Sequence, residues 1–133
     1  MPIQWTPWLE LGIPELDAQH LQLDDRLAAL HEAFCEGRVP DVPEVIAGVR
    51  ELAGRHFGAE LRRMEELRYE HVERHVAEHR RFSEQLDHFE ARCLAGVDVP
   101  LAMEVANWLA AWIREHQRWD LELRGPRGGA PRP

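Results

Sequence analysis

The chain has 133 residues, a length that fits one domain with a buried core. Its formal charge is −8, from 24 acidic and 16 scattered basic residues, which argues against a nucleic-acid interface because such an interface needs a basic face. No apolar run approaches the roughly 20 residues that a membrane span needs, and no apolar leader precedes a cleavage site. We therefore expect a cytoplasmic protein in which Cys35 and Cys93, without CxxC spacing, are free thiols.

The chain opens with residues 1–15, which contain three prolines, a glycine and two tryptophans. Because indole rings bury a large apolar area, we expect an irregular arm that packs Trp5 and Trp8 against the body. Helix A is predicted to begin near Asp17 as its N-cap and to end at Gly37. Its apolar stripe has the alternating 4-3 spacing of a bundle helix and consists of Leu16, His20, Leu23, Leu27, Leu30 and Phe34.

Helix B is predicted to start at Asp41, an N-cap that is followed by an early proline and by Glu44. Its inward face carries two polar residues among apolar ones and consists of Val45, Val49, Leu52, His56 and Glu60. Gly48, Gly54 and Gly58 lie inside the helix, where each glycine costs about 1 kcal/mol relative to alanine. They indicate either close packing or a weak helix. The turn to helix C is expected within residues 65–70.

Helix C contains three histidines at four-residue spacing, His71, His75 and His79. Four residues are a little over one helical turn, so these side chains stack along one face. Imidazole is the commonest transition-metal ligand, and the ladder therefore indicates a metal site. The stripe consists of His75, His79, Phe82, Leu86, Phe89 and Cys93, and Gly96 is expected to end the helix. His31, His71 and His88 lie off the ligand positions and are expected at the surface.

Helix D is predicted to begin after Asp98, another cap followed by proline, and to run to about Arg124. One face consists of Leu109, Ile113, His116 and Asp120. The adjacent face consists of Val105, Trp108, Trp112, Glu115 and Trp119. The tail, residues 125–133, is rich in glycine and proline and is expected to be disordered.

Four amphipathic helices with short connections predict an all-α fold, an antiparallel up-down-up-down four-helix bundle over residues 1–124. Each helix places one or two polar residues on its apolar face: His20, His56, Glu60, His75, His79, His116 and Asp120. Five imidazoles and two carboxylates exceed the needs of one tetrahedral zinc and suit two octahedral-type ions that share bridging carboxylates. Burying them without metal would leave many costly unpaired groups.

Four motifs in order resemble the hemerythrin family, in particular its single-domain bacterial members. They are Asp17-Ala18-Gln19-His20, His56-Phe57-x-x-Glu60 with Met64, His75-x-x-x-His79-x-x-Phe82, and Trp112-x-x-x-His116. Trp5 and the Leu11-Gly12-Ile13 run also resemble the opening of that family. The resemblance therefore covers about residues 5–122.

This resemblance implies a non-haem di-iron site with carboxylate and oxo or hydroxo bridges. One iron would be bound by three histidines, His75, His79 and His116. The other would be bound by His20 and His56 and would keep a position open for O2. Glu60 and an aspartate of helix D would bridge the two irons. The implied function is reversible binding of O2, for storage, transport or sensing, which favours an oxygen-binding protein over an enzyme.

Helix D departs from the family pattern, which sets its aspartate five residues after the histidine and an apolar residue directly after that histidine. Here Asp120 follows His116 by four residues, and Gln117 is the next residue after His116. The two side chains then differ by about 40° around the helix axis, against about 140° for the family spacing. We expect both to be ligands, helped by a local π-bulge. The alternative is that Glu115 substitutes as a ligand.

The same ligands would serve a di-iron oxidase, a peroxidase or a protein that handles nitric oxide. The altered helix D motif is the reason for this alternative hypothesis. A third hypothesis is a redox or oxygen sensor that acts through an unknown protein partner. Zinc or manganese would also bind such ligands by affinity alone. An apolar shell is expected to hold O2 and exclude water: Leu23, Leu109, Trp112 and Ile113.

Overall fold

The structure is a computed structural model that describes residues 11–124. Within this range the chain forms four α-helices and one short 3-10 helix, and no strand occurs there. The helices are α1 at Pro14–Cys35, α2 at Val42–Leu67, α3 at Val72–Cys93 and α4 at Val99–Asp120, with the 3-10 helix at Leu121–Arg124. Trp5, Trp8 and the tail from residue 125 onward lie outside the described residues, so the predicted arm and tail stay predictions.

Neighbouring helices run antiparallel, and two contacts between α2 and α3 show this for that pair. Arg50 of α2 lies 2.9 Å from Asp87 of α3. Further along α2, Glu60 lies 3.0 Å from His79, which precedes Asp87 in α3. Helix α1 packs against both α2 and α4. The predicted all-α four-helix bundle is therefore confirmed.

Two of the predicted helix starts are confirmed by their hydrogen bonds. The Asp41 carboxylate accepts the Glu44 N–H at 3.2 Å, and the Asp98 carboxylate accepts the Leu101 N–H at 2.9 Å. Each of these caps is followed by a proline in the first turn, where its absent N–H breaks no helical hydrogen bond. At the other end of α2, Arg68 adopts the left-handed conformation (φ 52°) within the predicted 65–70 turn.

The predicted start of the first helix is wrong, because α1 begins at Pro14 and Asp17 lies inside its first turn. Proline is well suited to the first helical position, so the helix extends back to it. The Asp17 carboxylate instead accepts the backbone N–H groups of Leu11 at 2.8 Å and Gly12 at 3.1 Å. Asp17 thus fixes the preceding segment onto the helix and does not cap the helix itself.

The buried apolar residues form two clusters, and the polar face residues lie between them. The larger cluster includes Leu23, Ala53, Phe57, Phe82 and Ile113, and the smaller one consists of Leu11, Leu16, Ala59, Met64 and Leu123. On α1, His20 lies between a residue of the smaller cluster and one of the larger cluster. His116 and Asp120 of α4 likewise lie between Ile113 of the larger cluster and Leu123 of the smaller cluster, which belongs to the 3-10 helix. No helix of residues 11–124 is long and apolar enough to cross a membrane.

Candidate metal centre

Seven polar side chains project from the four helices into one buried layer of the bundle. None is more than 8% exposed: His20, His56, Glu60, His75, His79, His116 and Asp120. The helices contribute them as the 4-3 periodicity predicts, one from α1 and two from each of the other helices. All seven residues of the predicted site are therefore in the interior, where polar groups need partners.

A first group of possible ligands joins three helices and consists of His20, His56, Glu60 and Asp120. Their ligand atoms all lie within 4.8 Å of one another. The Asp120 Oδ2 atom is 2.9 Å from Nε2 of His20 and 3.0 Å from Nε2 of His56. One carboxylate oxygen is thus placed against imidazoles from two other helices.

A second group consists of Glu60, His79 and His116. The Glu60 Oε1 atom is 3.0 Å from Nε2 of His79, and its Oε2 atom is 2.8 Å from Nε2 of His116. The same Oε2 atom lies 3.2 Å from Nε2 of His56, a member of the first group. Asp120 Oδ2 lies 3.1 Å from Nε2 of His116. Both carboxylates therefore join the two groups, as expected for two adjacent cations that share carboxylate ligands.

His75 is buried but belongs to neither group. Its ring centre is 6.3 Å from that of His79, 5.3 Å from that of Tyr69 and 5.6 Å from that of Trp119. Neither of its ring nitrogens has a hydrogen-bond partner. An imidazole buried in this way is costly, and coordination of a cation would remove that cost. The structure thus places His75 beside the second group without bringing its nitrogens into it.

Helix α4 reaches the centre without the predicted π-bulge, which is therefore wrong. The segment is regular α-helix up to Asp120, and the chain then continues as a 3-10 helix. Since His116 and Asp120 are one turn apart on the same face, both reach Glu60 and its neighbours directly. Glu115 is exposed and lies outside both groups, at the edge of a cavity of about 30 Å³ that also contacts His116.

Comparisons with known proteins identify the family of the chain. The model of the Hemerythrin HHE cation binding domain matches residues 11–119. This chain belongs to the hemerythrin family. It is 31% identical to a bacteriohemerythrin of Stenotrophomonas maltophilia (strain R551-3) over 116 residues, 87% of this chain and 74% of that protein. It is 23% identical to a bacteriohemerythrin of Clostridium acetobutylicum over 116 residues, 84% of this chain and 90% of that protein.

In this hemerythrin-family centre, protons on histidine balance the carboxylate charges. Burial by itself lowers the pKa of His56, but the charge of Glu60 and the hydrogen bonds to Asp120 and Glu60 raise it to about 9. Burial also lowers the pKa of His116, but the charges of Asp120 and Glu60 and the hydrogen bonds to them raise it to about 10. Burial would raise the pKa of both carboxyls, yet the histidines, His116 foremost, hold the pKa of Asp120 well below its usual range. Such protons are displaced when a cation binds.

Three side chains orient the ligand rings, and the sequence alone did not assign these roles. The His56 Nδ1–H donates to Gln19 Oε1 at 2.8 Å, which leaves Nε2 to face the carboxylates. The Phe57 ring stacks on His79 with centres 3.7 Å apart, and Trp112 stacks on His116 at 4.3 Å. Gln19, Phe57 and Trp112 all occur in the motifs noted above, but only the packing shows which histidine each contacts.

Two further polar residues are buried beside the centre, where the sequence predicts an apolar shell. Asp24 of α1 is 8% exposed and Gln117 of α4 is 1% exposed. Burial raises the pKa of Asp24 to about 6, while the facing Gln117 amide lowers it in part. The predicted shell residues Leu23, Leu109 and Ile113 are buried as expected. The shell of this family member is therefore polar at one place.

Proposed function

We propose that this protein is a non-haem di-iron protein that binds O2 reversibly. The observation that carries the proposal is the pair of adjoining ligand groups that share Glu60 in a chain of the hemerythrin family. His20 and His56 would hold one iron. His75, His79 and His116 would hold the other, and Glu60 and Asp120 would bridge the two irons together with an oxo or hydroxo group.

The residues present fit such a pair of ions in number, type and charge. Imidazole and carboxylate are ligands that iron accepts, and none of the seven is a soft thiolate. Two carboxylates with a depressed pKa face histidines that carry protons in this structure, so a cation replaces protons without adding unbalanced charge. His75, with both nitrogens buried and unpartnered, gains a partner. Burial lowers the pKa of His75, which favours its neutral, metal-binding form.

When bound, the two irons supply reversible one-electron oxidation at each metal and an open position for a small ligand. The chain itself orients the ligands and excludes water. Gln19 fixes the ring of His56 through its Nδ1–H, and Trp112 and Phe57 cover the rings of His116 and His79. The larger apolar cluster closes one side of the site, since it borders the polar layer on α1 and α4. A dry surrounding slows loss of the bound ligand.

A second candidate function is a di-iron oxidase, a peroxidase or a protein that handles nitric oxide with the same ligands. Buried Asp24 and Gln117 favour it, because polar groups beside a bound ligand supply hydrogen bonds and protons that a purely apolar shell lacks. Storage, transport or sensing of O2 in the cytoplasm is the biological role that we propose under the first candidate.

Oxygen uptake measured together with peroxide consumption separates the two candidates. Reduced, iron-loaded protein is exposed to O2, and the gas taken up and then released under vacuum is quantified. Reversible O2 binding predicts one O2 for each pair of irons and near-complete recovery. Uptake without recovery, with catalytic removal of added hydrogen peroxide, would show the second function. Failure of the protein to retain iron would refute both.

A further inference from the structure

Asp24 and Gln117 form a buried polar pair that the proposed ligand set does not use. They lie on facing helices and are adjacent, since a side-chain hydrogen bond to Gln117 lowers the pKa of Asp24 in part. Yet neither oxygen of Asp24, and neither the oxygen nor the nitrogen of the Gln117 amide, has a hydrogen-bond partner of ordinary geometry. A buried polar group without a partner costs about 1 to 3 kcal/mol. A single contact between the two side chains leaves most of their donors and acceptors unused, and this points to a third molecule that pairs with them.

The register of the two helices places this pair directly beside the metal centre. His20 of α1 contacts Asp120 of α4 at 2.9 Å. Asp24 is one turn after His20, and Gln117 is nearly one turn before Asp120. Because α1 and α4 are antiparallel, both steps lead in the same direction along the bundle axis. The pair therefore forms the next layer, about 5 Å from the His20–Asp120 contact.

The hydrogen-bonding groups of the pair define the chemistry of what it binds. Gln117 offers an N–H₂ donor and a carbonyl acceptor, and Asp24 offers carboxyl oxygens that accept, or one O–H that donates. A partner must both donate and accept hydrogen bonds, and it must fit between two packed helices. Water meets these conditions, and a buried water typically makes about three hydrogen bonds of this kind.

We propose that Asp24 and Gln117 bind a water molecule between α1 and α4, and that this water supplies protons to a small molecule held at the adjacent metal centre. The proposal rests on the proposed di-iron function. Its consequence concerns spontaneous oxidation. Release of O2 as hydrogen peroxide would require two electrons, which a bound pair of ferrous ions would supply by becoming ferric, and two protons, which the protein would supply. The water passes on these protons and regains them from solvent through the Asp24 carboxyl.

A crystal structure of the iron-loaded protein tests the binding step. The expected result is an ordered water within hydrogen-bond distance of both the Asp24 carboxyl and the Gln117 amide. An iron-loaded structure in which Asp24 and Gln117 contact only each other, with no ordered water on either side chain, would overturn the proposal. The same crystals report the metal centre independently: an empty centre refutes the proposed function, whereas filled metal positions without the water refute only the role of the pair.

The rate of spontaneous oxidation in air tests the proton-supply step. Gln117→Leu and Asp24→Leu should each slow it by at least about five-fold, the effect of losing one net hydrogen bond. The double variant should be no slower than either single variant, because both changes remove the same water. Gln22→Leu and Asp25→Leu, at exposed positions of α1, are the matched controls and should leave the rate unchanged. Unchanged rates in variants that have lost the water would overturn the proposal.

Discussion

Replacement of Asp24 by asparagine should stabilise the protein, and the gain should grow with pH. The pKa of this buried carboxyl is about 6, against 3.8 for an unperturbed aspartate. The folded chain thus binds the proton more tightly than the unfolded chain. The stability that comes from this proton is complete below about pH 4 and is lost as the pH rises through about 6. Asparagine has no proton to lose, so Asp24→Asn removes the dependence.

The size of the effect follows from the two pKa values. A difference of about two corresponds to about 3 kcal/mol at neutral pH, since each pKa step is worth about 1.4 kcal/mol. Partial screening by nearby solvent reduces this figure, and we expect a gain of about 1 to 3 kcal/mol at about pH 8. The gain at about pH 4 should be close to zero.

Urea unfolding of the metal-free wild type and of Asp24→Asn at about pH 4 and about pH 8 measures this difference. Metal-free protein is used so that loss of metal in acid does not enter the comparison. Glu32→Gln, at an exposed position of the same helix, is the matched control. An equal effect of Asp24→Asn at both pH values would refute the assignment of a raised pKa to this carboxyl.

Three further predictions concern the ligands and are read by metal analysis of the purified variants. Glu60→Gln should abolish binding of both irons, since Glu60 belongs to both groups, while Glu65→Gln at an exposed position of the same helix should retain them. Asp120→Asn should lower the iron content or speed oxidation, and Glu115→Gln should leave the iron content nearly unchanged. Loss of iron in Glu115→Gln but not in Asp120→Asn would make Glu115 the ligand. His75→Gln should reduce the iron content to about one ion per chain, and full retention would exclude His75 from the set.

Much of the fold could be predicted from the sequence because the helix-capping residues and the spacing of apolar residues indicate the same helices that the structure contains. The 4-3 spacing of α3 identified Phe82, Leu86 and Phe89 as core residues, and all three are buried. The starts of α2 and α4 were predictable from an aspartate followed by a proline. The start of α1 was not, because an aspartate can accept N–H groups from its own helix or from the segment before it. Pro14 decides between them, and Asp17 then binds Leu11 and Gly12.

The candidate site was predictable to the level of its helix faces. Periodicity alone brought His20, Glu60 and Asp120 to the interior, and the structure places them in contact with one another or with shared neighbours. What periodicity does not contain is the register between helices that are distant in the chain. The contact of Gln19 with His56 and the facing of Asp24 and Gln117 both depend on that register, so they emerge only from the packed bundle.

The most direct test of the di-iron assignment combines the iron content with absorption spectra of the reduced protein recorded before and after its exposure to air. A di-iron centre that binds O2 reversibly predicts two irons per chain and a ligand-to-metal charge-transfer band that forms with O2 and disappears when O2 is removed. Two irons with a band that does not reverse would contradict reversible O2 binding and favour the oxidase function. A protein that holds zinc or no metal after iron loading would contradict the di-iron centre itself.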